Sequence, residues 1–175
     1  MASLKQIHSA TSFVVTAPVP AGEGDALITR QPGVTISVRT ADCYPILLAD
    51  RVTRAVAAVH AGWRGTEARI VQKVLERMSA EFGARPENIT AAIGPGIGGC
   101  CYQVGDEVAR KFGMSGAGKL DLAEENVKQL KAAGVLSPRI ESITACTHCR
   151  PGQFHSYRRD REQAGRMISF IEIAG

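Results

Sequence analysis

The chain has 175 residues, 45% of them hydrophobic and 22% charged, which is enough for one globular domain with a substantial core. Its net charge of +4 and pI near 8.9 come from Lys and Arg spread along the chain, which argues against a nucleic-acid partner and suits an anionic small substrate. No stretch approaches the roughly 18 apolar residues of a membrane span, and the N-terminus lacks a secretory-signal pattern, so the sequence predicts a soluble, cytoplasmic monomer with no membrane partner.

From Leu4 to Val15 the Ile, Val, Thr and Phe residues predict a strand or two, and Ala17-Pro-Val-Pro-Ala-Gly-Glu-Gly24 predicts a break. Four short apolar runs follow, Ala26–Thr29, Val34–Val38, Pro45–Ala49 and Ala55–Val59, each bounded by turn residues or charges; these predict buried strands. Between Thr66 and Phe82 the apolar residues Ile70, Val71, Val74, Leu75, Met78 and Phe82 fall on one helical face, and Gly83 stops the helix. Ile89–Ile93 predicts another strand, running into the tight turn Gly94-Pro-Gly-Ile-Gly-Gly99. A second helix is expected over Leu122–Ala133, stopped by Gly134, with strands at Ile140–Ala145 and Met167–Ile173. The pattern predicts an α/β protein with mixed sheets.

Five cysteines, two of them adjacent, make a poor disulfide framework, so reduced thiols are expected. Of the four histidines, His60 ends an apolar run and opens His60-Ala-Gly-Trp-Arg-Gly65, where two glycines permit close backbone approach. A strand end feeding a glycine turn and a helix is a common position for an active site. Cys43, in Thr40-Ala-Asp-Cys-Tyr-Pro45, lies at a similar junction. A thiolate with two imidazoles, His8 being the other, makes a three-ligand zinc shell that leaves one position open for chemistry.

The pair in Cys146-Thr-His-Cys149 has zinc-ligand spacing, and Cys100 and Cys101 could complete a four-thiolate site. Cys146, however, follows a strand-like run where such sites favour loop-rich modules. Arg158 and Arg159, with Arg64, are candidates for binding phosphate, against the alternative of a solvated loop. Trp63 and Tyr44 are candidates for stacking on a base, or for the core.

The strings Gln6-Ile-His8, Thr40-Ala-Asp-Cys-Tyr-Pro45, Ala57-Ala-Val-His-Ala-Gly-Trp-Arg-Gly65, Ile93-Gly-Pro-Gly-Ile97 and Ser156-Tyr-Arg-Arg-Asp160 resemble, in this order, the YfiH family. That family has long been labelled a multicopper polyphenol oxidoreductase or laccase family, and the resemblance runs from about Leu4 to Ile173. It implies a layered α-β-β-α fold with mixed sheets, here a single catalytic domain over residues 1–175. It also implies a zinc-dependent purine nucleoside phosphorylase acting on adenosine, inosine, guanosine or methylthioadenosine with phosphate, and an accompanying adenosine deaminase activity. The implied metal ligands are His8, Cys43 and His60; Cys43 and His60, with Arg64 placed by its position to hold phosphate, are the candidate catalytic residues. Relatives of this kind carry a further stretch before the first ligand, so the resemblance implies a member lacking that N-terminal extension.

Asp25 and Asp42 are the acidic candidates for a general base, or for orienting a metal-bound imidazole. Two alternatives stand beside this reading. One is an amidase in peptidoglycan editing, with Cys43 as nucleophile and His60 as base. The other is a copper-dependent polyphenol oxidase, but a multicopper enzyme takes roughly ten histidines and the chain has four, so copper is the lesser cofactor reading behind Zn2+.

Overall fold

The computed structural model of the chain describes residues 1–143 and 145–175. In chain order the strands are β1 (Ser3–Lys5), β2 (Ser12–Val14), β3 (Pro20–Glu23), β4 (Ala26–Thr29), β5 (Ile36–Thr40), β6 (Tyr44–Asp50) and β7 (Val56–Ala61). The short helix α1 (Trp63–Glu67) and the longer α2 (Ile70–Phe82) follow, then β8 (Ile89–Ile93), β9 (Gln103–Val104), α3 (Asp106–Lys111) and β10 (Gly118–Lys119). The chain ends with α4 (Leu122–Ala132), β11 (Ile140–Ser142), α5 (Tyr157–Asp160) and β12 (Met167–Ile171).

Six strands form the central sheet in the order β11-β8-β6-β7-β4-β2. Its middle is antiparallel, and parallel pairs, β11 with β8 and β2 with β4, close its two ends. Side chains alternate between its faces. Ile46 and Leu48 of β6, with Ala57 and Val59 of β7, join one core with Ile70, Val71, Val74 and Met78 of α2 and Leu130 of α4. Leu27, Val56 and Ala58 face the other way. They pack on Ile36 and Val38 of β5, which pairs antiparallel with β12 as a second sheet. Helices, sheet and sheet are thus stacked in a layered α/β domain with mixed sheets, as the sequence predicts. Among the described residues no helix is long and apolar enough to cross a membrane.

Most differences from the expected elements are small, and two have clear causes. The helix expected from Thr66 divides into α1 and α2, because Arg69 adopts a left-handed conformation (φ 59°) just where the apolar stripe begins. No apolar residue in Thr66–Arg69 continues that stripe, so nothing holds this turn to the same axis. The expected break at Ala17–Gly24 contains β3, which pairs parallel with β1 despite its proline, since Pro is tolerated at the start of an edge strand. Finally, β7 extends past Val59 to include His60 and Ala61. Of the strand expected over Ile140–Ala145, β11 accounts for the first half, and Thr144 lies outside the described residues.

Candidate metal centre and cavity

His60 lies two residues beyond Ala58 in β7, so alternation points it away from the helices and toward the second sheet. Its neighbour across the strand pair is Pro45, one residue after Tyr44 and two after Cys43. The antiparallel register of β6 and β7 therefore brings the Cys43 thiol to the His60 imidazole. His8 arrives from the segment between β1 and β2, and one ligating atom from each of His8, Cys43 and His60 lies within 4.8 Å of the others. The two imidazole rings meet edge to face, with centroids 4.9 Å apart.

Asp25 organises two of these three residues. Its carboxylate is fully buried. Oδ1 accepts from His60 Nδ1 at 2.8 Å and from the backbone N–H of His8 at 3.0 Å. Oδ2 accepts from the Ser9 hydroxyl at 2.7 Å and the Ser9 N–H at 2.5 Å. The N-terminal segment carrying His8 is thereby anchored, with His8 itself in the left-handed region at φ 60°. Burial alone would raise the Asp25 pKa, but the bonds from His60 and Ser9 outweigh it and hold the carboxyl at about 2.

The other two ionisable groups move in complementary directions. Burial would depress His60, yet its bonds to Asp25 and Cys43 push it up to about 9. Burial would raise the Cys43 thiol, yet His60 and His8 bring it down to about 7. The site favours a thiolate beside a positive charge; a bound divalent metal would supply that charge in place of the imidazole proton, since it takes thiolate and neutral imidazole as ligands.

The donor set fits zinc on two further observations. Asp25 fixes the His60 tautomer by holding Nδ1–H, which leaves Nε2 for a metal. Gly62 also leaves room for the ligands: a Cβ at this position would lie 2.8 Å from the Cys43 sulfur and 3.3 Å from His8 Cδ2. With φ at −82°, Gly62 is needed here for space and not for an unusual backbone.

Asp42 also holds the site together, by a different route. It is left-handed at φ 83°, a conformation that Asp tolerates better than most residues, and this turn presents the next residue, Cys43. Its Oδ1 accepts from the buried Thr147 hydroxyl at 2.7 Å and its Oδ2 from the Arg158 N–H at 2.6 Å. Its carbonyl accepts from Ile97 N–H at 2.8 Å. Three loops distant in sequence meet on this one residue. With both carboxylate oxygens engaged, Asp42 is better suited to positioning than to accepting a proton.

The three candidate ligands open onto a cavity of about 910 Å³. Trp63 and Arg64 line it from α1, with the Arg64 guanidinium 4.3 Å from the Trp63 ring centroid. That short helix is held by α4, where Asn126 Nδ2 donates to the Thr66 hydroxyl at 3.0 Å and Gln129 Nε2 to the Thr66 carbonyl at 2.7 Å. Arg158 also lines the cavity, 5.2 Å from the Tyr102 ring centroid.

Arg159 does not join them. Its guanidinium is spent on the Thr147, His148 and Phe154 carbonyls and on Asp160, and unlike Arg158 it does not line the cavity, contrary to the phosphate-binding position expected for it. Tyr44 is also elsewhere: it is 3% exposed and donates to the Ile97 carbonyl, which assigns it to the core. The sequence reading gave no site role to Tyr102, Arg39, Arg161 and Arg166, all of which line the cavity. Two of these had a readable signal, Arg39 standing just before Thr40-Ala-Asp-Cys43 and Tyr102 just after the glycine-rich turn.

Residues 1–174 match the family described as multi-copper polyphenol oxidoreductase laccase. A purine nucleoside phosphorylase from Deinococcus radiodurans is 44% identical over 98% of this chain, which spans 70% of that protein. Adenosine deaminase RL5, from an unknown prokaryotic organism, is 40% identical over 84% of this chain and is spanned to 61%. The crystal structure of the hypothetical protein YfiH of Bacillus licheniformis superimposes with a TM-score of 0.91 at 33% identity, covering 96% of this chain and 72% of its own.

Proposed function

The chain belongs to the multi-copper polyphenol oxidoreductase laccase family, and from that premise we propose that it is a zinc-dependent purine nucleoside phosphorylase that also deaminates adenosine. The observation that carries this reading is one cavity with a His-Cys-His cluster at its base and five arginines, Arg39, Arg64, Arg158, Arg161 and Arg166, around it.

His8, Cys43 and His60 would hold the metal by three protein ligands, the number typical of catalytic zinc. Bound zinc supplies Lewis-acid activation at neutral pH. Oxidase chemistry with several coppers is poorly matched to the donors, because His148 and His155 fall in neither potential metal cluster among the described residues.

The remaining work belongs to the chain's own side chains. In phosphorolysis a phosphate oxygen bonds to C1′ of the ribose as the bond from C1′ to the purine nitrogen breaks, and the leaving base takes up a proton. Arg64 and Arg158 both line this cavity and would bind the phosphate and hold it for attack. Trp63 and Tyr102 offer aromatic faces for the purine, each beside one of these arginines. In deamination, water adds to purine C6 and ammonia leaves, a reaction that needs the cluster but no phosphate site.

The test is incubation of the purified protein with adenosine, with and without phosphate, and separation of the products. Adenine and ribose 1-phosphate should form only with phosphate, while inosine forms in both. Absence of any nucleoside turnover by folded, zinc-loaded protein would overturn the proposal. A second reading has one specific observation behind it: Cys43, His60 and Asp25 are arranged like a nucleophile, base and orienting carboxylate. The amidase so implied would be inactivated by thiol alkylation and indifferent to zinc chelation.

A further inference from the structure

Away from the cavity base, a second set of side chains converges. The sulfur atoms of Cys100, Cys101, Cys146 and Cys149 all lie within 4.8 Å of one another. Cys100 is 3.6 Å from Cys101 and 3.9 Å from Cys149, and Cys101 is 3.3 Å from Cys149. Four thiolates bound to one zinc at about 2.3 Å stand about 3.8 Å apart at the corners of a tetrahedron. The observed spacing is close to that, and all five cysteines of the chain are free thiols.

The fold explains how residues so distant in sequence meet. Strands β8 and β11 are parallel neighbours, so the loops that leave their ends start side by side. A bridge between Gly96 and Cys146, with Thr147 N–H donating to the Gly96 carbonyl at 3.0 Å, continues that pairing into the loops. The Gly98 N–H then donates to the Cys146 sulfur at 3.3 Å, the kind of supporting bond that orients a metal-bound thiolate. A Cβ on Gly98 would come within 3.3 Å of both the Cys100 sulfur and Cys146 Cβ.

We propose that Cys100, Cys101, Cys146 and Cys149 form a second zinc site, closed and structural, that fastens the loop after β8 to the loop after β11. Four protein ligands leave no open position for substrate. The fastened loops are those that carry Ile97, Tyr102 and Thr147 to the cavity and its Asp42 support, so the site braces the wall on which the chemistry depends. The inference does not rest on the nature of the reaction or on a metal at His8, Cys43 and His60.

The test is zinc content by elemental analysis of protein purified under reducing conditions, with thiol titration in denaturant on the same samples. The wild type should hold about two zinc ions per chain. The variant H8A/C43S should lose one and keep the other. The variant C101S/C149S should keep only the one at the cavity and melt at a lower temperature. Cobalt exchanged into H8A/C43S should give the absorption bands of a tetrathiolate site, and these should be absent from C101S/C149S. To separate loss of metal from loss of fold in the double serine variant, Cys149→His serves as a rescue, since three thiolates and an imidazole also hold zinc; it should retain the metal with altered cobalt bands. Loss of all zinc from H8A/C43S would overturn the proposal, as would two missing thiols in metal-free wild type, which would make the cluster a disulfide pair.

Discussion

His60 Nδ1 and Asp25 Oδ1 are joined by a 2.8 Å hydrogen bond in which both side chains are buried, and the same carboxylate binds the backbone of His8 and Ser9. One side chain thus sets the direction of two candidate ligands that lie far apart in sequence. Replacing Asp25 with Asn should weaken zinc binding at the cavity by about 10–100-fold, the usual effect of losing such a partner. Competition against a metal-sensitive dye checks this; unchanged affinity would mean that His60 is oriented by other contacts.

The same residue predicts the acid limb of stability. Asp25 is lowered from 3.8 to about 2, so its contribution is fully present above pH 3.8 and disappears as the pH falls through about 2. The contribution is about 2–3 kcal/mol, each pKa unit being worth about 1.4 kcal/mol. Urea denaturation of metal-free protein between pH 5 and 2 should show this loss, and the Asp25→Asn protein should be less stable at pH 5 but show a shallower fall.

Gly62 makes a steric prediction. Its backbone angles suit alanine, but the added Cβ would press on the Cys43 sulfur at 2.8 Å. Gly62→Ala should keep the fold at a cost of about 1–3 kcal/mol, typical of overpacking, and should lose zinc affinity at the cavity about tenfold or more. Melting temperature and zinc content measured together separate the two effects. Normal zinc binding would show that the ligand cluster can shift aside.

Arg64 and Arg159 make a contrasting pair. Arg64 faces the cavity with its guanidinium over the Trp63 ring, whereas Arg159 is held by three carbonyls and Asp160. Arg64→Ala should remove about 2–4 kcal/mol of transition-state stabilisation from phosphorolysis, leave deamination in place, and barely move the melting temperature. Arg159→Ala should lower the melting temperature and reduce both reactions together. Product analysis with and without phosphate, alongside thermal melts, checks both; equal loss of both activities in Arg64→Ala would place the phosphate elsewhere among the arginines.

What could be read from the sequence was local. The periodic apolar residues from Ile70 to Phe82 and from Leu122 to Leu130 define the faces of α2 and α4, because a helical face needs only its own spacing. The apolar run before His60 gives β7, and the motifs around Cys43 and His60 identify candidate ligands by donor type alone. The tertiary structure decided which charges serve the cavity and which serve the fold. Arg158 and Arg159 are adjacent and chemically alike, yet on α5, whose first turn is held by the Ser156 cap and by Asp42, one side chain lines the cavity and the other bonds to the Thr147, His148 and Phe154 carbonyls. Asp25 became the anchor of His60, and Asp42 the meeting point of three loops, only when strands from distant parts of the chain paired. The four thiols likewise converge because β8 and β11 run side by side, an adjacency set by the burial of a whole sheet that no short stretch of sequence encodes.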